Sequence, residues 1–263
     1  MNKIIFWREP VNYNYDVAII TAVDVEEASV KRLYDDWKKI KLPDDSQAYF
    51  EASFVRDGVK RKVIAARQRE MGMTAASHLA SKLIDIFRPR YLIMTGIAAG
   101  IGADQIYGDV IVPDIIWNYA SGKFVSAENA DITFGDIGFV PRPIALELDG
   151  EILNIIKDLQ HSADNEFHVH IGPMACGNSV VANRDVVNKQ IHSLFPKTAG
   201  LDMESYSVFY AAENSSQPKP KAIVIKSICD YADAQKSDQY QKFAAYTSSN
   251  FAKFLYENYL PFD

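Results

Sequence analysis

Runs rich in Val, Ile and Leu, set between segments of helical periodicity, decide what this chain can fold into. Asp16–Thr21 (DVAIIT), Tyr91–Thr95 and Lys221–Cys229 are too continuously apolar to keep one face wet, so they read as strands buried on both sides. Met71–Phe87 puts Ala75, Ala76, Leu79, Leu83, Ile84 and Phe87 on one helical face, and Arg88-Pro89-Arg90 stops it. Asp24–Ile40, with Asp24 as N-cap, reads as a helix, as do Ile144–Leu159, Asn183–Phe195, Met203–Asn214 and Ser237–Tyr259. Ala48–Val55 and Lys60–Ala66 flank Arg56-Asp57-Gly58, a hairpin signal. Asp109–Trp117, Phe167–Ala175 and Thr198–Leu201 supply further strands, and residues 118–143 read as a long loop. No repeat or linker divides the chain. The expectation is one α/β domain with a mixed sheet over residues 16–263, preceded by an N-terminal arm over residues 1–15.

Charge and cysteine usage exclude several functions. A net charge of −6 argues against nucleic-acid binding, which needs a basic face, but leaves room for a small anionic ligand held by a few local Arg and Lys. Cys176 and Cys229 sit inside apolar segments with no CxxC pair and no His/Cys ligand spacing, so free buried thiols are expected, without metal or cofactor. Ile4-Ile5-Phe6-Trp7 is too short, and too soon interrupted by Arg8, Glu9 and Pro10, to be a signal peptide. No run approaches the length of a membrane span, so a cytoplasmic protein is expected.

Carboxylates at the ends of apolar runs are the candidates for chemistry, because buried strands of α/β proteins end where ligands bind. Asp230 closes the run Ala222–Cys229, where partial burial would suit a general acid; a turn cap is the competing reading. Asp202 and Glu204 flank Met203 at a strand-to-helix junction, as ribose-diol ligands or as helix-capping and dipole-compensating groups. Glu26 could activate water or compensate a helix start. Thr95-Gly96-Ile97-Ala98-Ala99-Gly100 fails the dinucleotide pattern and reads instead as a turn close to a sugar or base. Arg67, Arg69, Lys123, Arg184 and Lys226 stand beside these motifs; singly they read as solvated charges, jointly as candidates for a phosphate on the ligand. His168 and His170 share a strand face and read as a satisfied structural pair.

Taken in order, Thr21-Ala22-Val23-x-x-Glu26, Met71-Gly72-Met73-x-Ala75-Ala76, Thr95–Gly100, Gly108-Asp109-Val110, Gly172–Gly177, Asp202-Met203-Glu204 and Ser227–Asp233 resemble the nucleoside phosphorylase superfamily on its methylthioadenosine/S-adenosylhomocysteine nucleosidase side. The resemblance implies a twisted, partly barrel-like mixed sheet flanked by helices, and a homo-oligomer, dimer or hexamer. It implies Asp230 as the acid at purine N7, Glu204 as the ribose-diol carboxylate, Met203 packed on the ribose and Glu26 as the base that orients water. It places Val180 and Val181 in the base pocket beside the Gly96, Ile97 and Ala98 turn. Phosphorolytic members carry Arg and Ser where this chain has Met94 and Ile97, so hydrolysis is expected. Met71-Gly72-Met73, Trp117–Lys123 and Lys226–Asp230 are more similar to phosphorylase-type domains of bacterial stress and antiphage effectors, which implies an adenine nucleotide such as ATP as substrate, so the expected function is hydrolysis of the N-glycosidic bond of an adenine nucleoside or nucleotide with release of the free base. The alternatives are a methylthioadenosine/S-adenosylhomocysteine nucleosidase or a phosphorylase in salvage, and a silent purine sensor.

Overall fold

The computed structural model describes residues 12–130, 132–134 and 136–262. Of the arm expected over 1–15, the first eleven residues lie outside that set, and Tyr15 already belongs to the first strand. β1 (Tyr15–Thr21) feeds α1 (Asp24–Val30), which ends ten residues short of the expected Ile40. Tyr34 and Trp37, which extended the helical pattern, instead meet edge to face and pack on the core, and the chain continues as β2 (Lys38–Ile40). Antiparallel pairing of β2 with β3 (Tyr49–Arg56) outweighs helix propensity there. β3 turns into β4 (Val59–Arg67) through Asp57 and Gly58, both at positive φ, as the hairpin signal predicts.

α2 (Met73–Phe87) ends on Arg88 in the left-handed region, and β5 (Pro89–Gly100) follows. Its burial on both faces agrees with the apolar run, but it continues straight through the expected glycine turn. The segment expected as one strand over 109–117 is two, β6 (Val110–Val112) and β7 (Ile115–Asn118). The expected loop over 118–143 carries a small antiparallel sheet of β8 (Gly122–Ser126), β9 (Ile132–Phe134) and β10 (Ile137–Pro141). β11 (Ala145–Glu147) then pairs with β7, so α3 (Gly150–Gln160) starts later than expected, capped by Asp149. β12 (Val169–Ile171) and β13 (Met174–Cys176) divide the next expected strand. α4 (Arg184–Val186) passes directly into a π-helical turn over Val187–His192. β14 (Gly200–Asp202), α5 (Ser205–Glu213), β15 (Lys221–Asp230) and α6 (Gln241–Asn258) complete the chain.

Twelve of these strands make one mixed sheet organised on β5. One edge of β5 pairs in parallel with β15 from Tyr91 to Ala99. The opposite edge is shared: β1 pairs in parallel as far as Met94, and β14 pairs antiparallel from Ala99. Among the described residues, 95–98 have no strand partner on that edge, and the sheet divides there. One wing runs through β1, β4, β3 and β2, the other through β14, β13, β7 and β11. Val17–Ile20, Leu92–Met94 and Ile223–Ile225 fill the core with no exposed surface. Each Val, Leu, Ile or Met side chain among them contributes about 1.5–3 kcal/mol of burial free energy. Cys176 and Cys229 are free and buried, as expected. Both imidazoles of His168 and His170 reach Asp109 Oδ2, at 3.0 and 2.7 Å. Among the described residues no helix is long and apolar enough to cross a membrane.

Candidate active site

The division of the sheet opens a cavity of about 330 Å³. Backbone that would otherwise pair with a neighbouring strand is left to bind something else there. Ile97 N–H, in the unpaired stretch of β5, donates to Glu26 Oε1 at 2.8 Å. Glu26 lies in the first turn of α1 and folds back so that its Oε2 accepts from Ala22 N at 2.6 Å and Val23 N at 3.2 Å. Three backbone donors thus fix a carboxylate that is only 2 % exposed yet lines the cavity. Gly96 explains how α1 comes this close: a Cβ on it would lie 2.1 Å from Glu26 Oε1.

Two more strand ends bring the other carboxylates. β14 ends at Asp202, and α5 begins only at Ser205, so Met203 and Glu204 occupy a short link rather than the helix expected from Met203. Asp202 accepts from Ser205 N at 3.0 Å and from Ser205 Oγ at 2.6 Å, so it meets the first amide of α5 from outside the helix, whose N-cap position is Glu204. Glu204 faces the cavity, with Oε1 accepting from Gly72 N at 2.8 Å. Behind both, Lys226 has no exposed surface and places Nζ 3.3 Å from Asp202 Oδ2 and 3.7 Å from Glu204 Oε2. Burial alone would push that ammonium towards neutrality, but the carboxylates of Asp202, Glu26 and Glu204 hold it well above the usual lysine range. Burial raises Glu204 to about 7, with Lys226 pulling the other way.

Asp230, the last residue of β15, lines the opposite part of the wall and is 3 % exposed. Its Oδ1 accepts from Ala232 N at 3.0 Å, and Ala232 pays for that turn with a φ of 52°. Its Oδ2 is paired with Lys236, which also lines the cavity. Burial lowers and the Asp230 contact raises the Lys236 ammonium, with a net rise. Cys229 Sγ sits 3.5 Å from the same oxygen, and burial together with that charge pushes the thiol up to about 12. Sequence reasoning missed Lys236. Its only signal was a cation six residues after a strand-end acid, in a loop whose path no local pattern reveals.

Most expected residues are brought together: Glu26, Ile97, Ala98, Val180, Val181, Met203, Glu204 and Asp230 all line this cavity. Gly96 acts from behind, through Glu26. The expected phosphate cluster is not brought together. Arg67 pairs with Asp24 and Glu27, at 3.1 and 3.2 Å, outside the cavity. Lys123 is exposed on β8 and Arg184 is exposed on α4. Lys226 is sealed beneath the carboxylates. Arg69 lines a second, adjoining cavity instead.

Comparison with known proteins bears on the same residues. The profile of the Phosphorylase superfamily matches residues 16–258. An uncharacterized protein of Sinorhizobium fredii, y4jS, is 30 % identical over 82 % of this chain and 54 % of its own. ATP nucleosidase Cap17 of Escherichia coli is 25 % identical over 87 % of this chain and 48 % of its own. The chain therefore spans about half the length of these curated relatives. The fold matches 5'-methylthioadenosine/S-adenosylhomocysteine nucleosidase from Neisseria meningitidis, solved with methylthio-immucillin-A, at a TM-score of 0.74. Identity to that structure is 21 %, over 92 % of this chain and 98 % of the other. The superfamily match begins in the first core strand and ends with the last helix, enclosing every wall of the cavity, and the chain belongs to the Phosphorylase superfamily.

Proposed function

We propose that this chain hydrolyses the N-glycosidic bond of an adenine nucleoside or nucleotide and releases the free base. The observation that carries the reading is the meeting of Asp230, Glu204 and Glu26 in one small cavity, each in different surroundings. Breaking C1'–N9 sends the bonding electrons into the purine and leaves an oxocarbenium-like sugar. Asp230 stabilises the departing base by supplying a proton or hydrogen bond at N7. Glu204 accepts from the ribose hydroxyls, with Met203 packed against the ring. Glu26 orients water at C1' and takes its proton as the new C–O bond forms. Lys236 must give up its contact with Asp230 for the purine to reach that carboxylate. Ile97 and Val181, with the backbone of Ala98, supply the apolar wall for the base.

Hydrolysis is favoured over phosphorolysis because Met94 is fully buried and Ile97 is apolar where a phosphate site would need charge. The relatives' names divide between ATP nucleosidase and methylthioadenosine/S-adenosylhomocysteine nucleosidase, so both substrate types belong in the test. Self-association and a cytoplasmic setting are part of the same proposal. The recess between α2 and α5, walled by Met73, His78, Tyr206 and the half-exposed Tyr210, supports the first; sedimentation of the purified chain tests it.

Product analysis by liquid chromatography tests the chemistry. The protein is mixed with methylthioadenosine, adenosine, AMP and ATP, with and without phosphate, beside Asp230→Asn. Free adenine without phosphate is the expected result, with the variant slower by roughly 10²–10⁴. Adenine only when phosphate is present would sink the hydrolytic reading.

A further inference from the structure

Beside the cavity just described lies a second of about 690 Å³. Met71 lines both, so it stands at the passage between them. We propose that this second cavity receives the 5'-phosphate chain of a nucleotide whose sugar and base occupy the first, an inference that rests on the function proposed above. If Glu204 holds the ribose hydroxyls and Asp230 the base, the sugar's remaining exit is C5'. Glu204 is bonded at 2.8 Å to Gly72, the residue that follows Met71 and caps α2.

Three features of the wall suit phosphate. The N-terminus of α2, a helix of fifteen residues, opens into the cavity at Met73, Thr74 and Ala75. It carries no acidic residue in its first turn; Met73 N already donates to Asn178 Oδ1 at 3.4 Å, so the amides of Thr74 and Ala75, with the helix dipole, are what it offers an anion. Independently, Gln68 lines the cavity, is 1 % exposed, and has neither its side-chain nitrogen nor its side-chain oxygen hydrogen-bonded to any of the described residues. A buried amide with both ends unmet calls for a polar partner. Arg69 adds an exposed guanidinium on the rim, bonded among the described residues only to the hydroxyl of Ser46.

The acids on the wall do not cancel this. Asp45 is matched by Lys82 at 2.6 Å, and that contact holds its carboxyl down to about 2. Asp44 and Glu70 are exposed on the rim, which suits a triphosphate carrying its magnesium better than a bare one.

Steady-state kinetics with magnesium-ATP, adenosine and S-adenosylhomocysteine test the proposal on the wild-type chain, Arg69→Glu and Gln68→Leu. Arg69 is exposed, so its charge reversal leaves the fold intact even if Gln68→Leu does not. In Arg69→Glu the ratio of kcat/KM for ATP to that for adenosine should fall at least about tenfold, the loss expected for a charge-assisted contact. The loss should appear in KM, and inorganic tripolyphosphate should inhibit the wild type more strongly than the variant. An unchanged ratio overturns the proposal. So does a selective loss of S-adenosylhomocysteine cleavage, which would make the cavity an amino-acid site. Wild-type cleavage of adenosine without cleavage of ATP overturns the subsite and leaves the glycosidase reading standing. No base release from any of the three overturns both.

Discussion

Lys226 is a fully buried cation inside a protein, a costly arrangement unless its partners are equally fixed. Its partners are the carboxylates of Asp202 and Glu204, one bonded to Ser205 at the start of α5 and the other facing the cavity. Glu204 is buried too, and that burial raises its carboxyl from 4.5 to about 7 against the pull of Lys226. The folded protein then holds a proton that the unfolded chain releases at the lower value. This group's contribution to stability is therefore full below about pH 4.5 and is lost as pH rises through about 7. Substrate affinity runs the other way, because only the ionised carboxylate accepts from both ribose hydroxyls. For adenosine, kcat/KM should rise with pH through about 7 and then level. Glu204→Gln should flatten that limb in whatever activity remains. A wild-type profile flat across this range would remove Glu204 from sugar binding.

At the scale of elements, the site depends on how closely α1 approaches β5. The contact is made through Gly96, where an added methyl would collide with Glu26 Oε1. Gly96→Ala should therefore displace the carboxylate and lose activity comparable to Glu26→Gln, roughly 10²–10⁴ in kcat, although Gly96 itself does not line the cavity. Near wild-type turnover in that variant would detach Glu26 from the chemistry. The close approach was only half legible in the sequence. Glycine punctuates locally, so Gly96–Gly100 read as a turn, whereas the strand continues and its gap in pairing comes from β1 and β14, about a hundred residues away on one side. Asp230, Glu204 and Glu26 were legible because each closes or follows an apolar run. Lys236 was not, because its partner is set by the path of a loop. The early end of α1 was hidden for a related reason: Tyr34 and Trp37 satisfy a helical period and a tertiary contact equally well. The small sheet over residues 122–141 was missed because its glycines and prolines outvoted the aromatic and β-branched pairs Phe124-Val125 and Phe139-Val140, which lack the alternation of a half-buried strand.

At the scale of the whole molecule, both wings of the sheet meet at this cavity, so a ligand there ties together β1, β5, β14 and β15, three of which carry the fully buried runs Val17–Ile20, Leu92–Met94 and Ile223–Ile225. Occupancy should be felt as global stability. A ligand at a hundred times its Kd adds about 2.7 kcal/mol to a domain that it binds only when folded. For a chain of this length that corresponds to a rise in Tm of roughly 5–10 °C. Thermal unfolding with saturating adenosine, run on Asp230→Asn so that the ligand survives the scan, should show such a shift. Paired with product analysis, the same experiment separates an enzyme from a sensor. A shift in the variant alongside base release by the wild type is the behaviour expected of a glycosidase whose binding groups outlast the loss of its acid. A shift in both proteins with no base released by either would mean that the carboxylates serve recognition alone. No shift with any adenine compound would leave the cavity without a purine, and the three carboxylates would then need another ligand to explain why a fold this well packed keeps them buried beside Lys226 and Lys236.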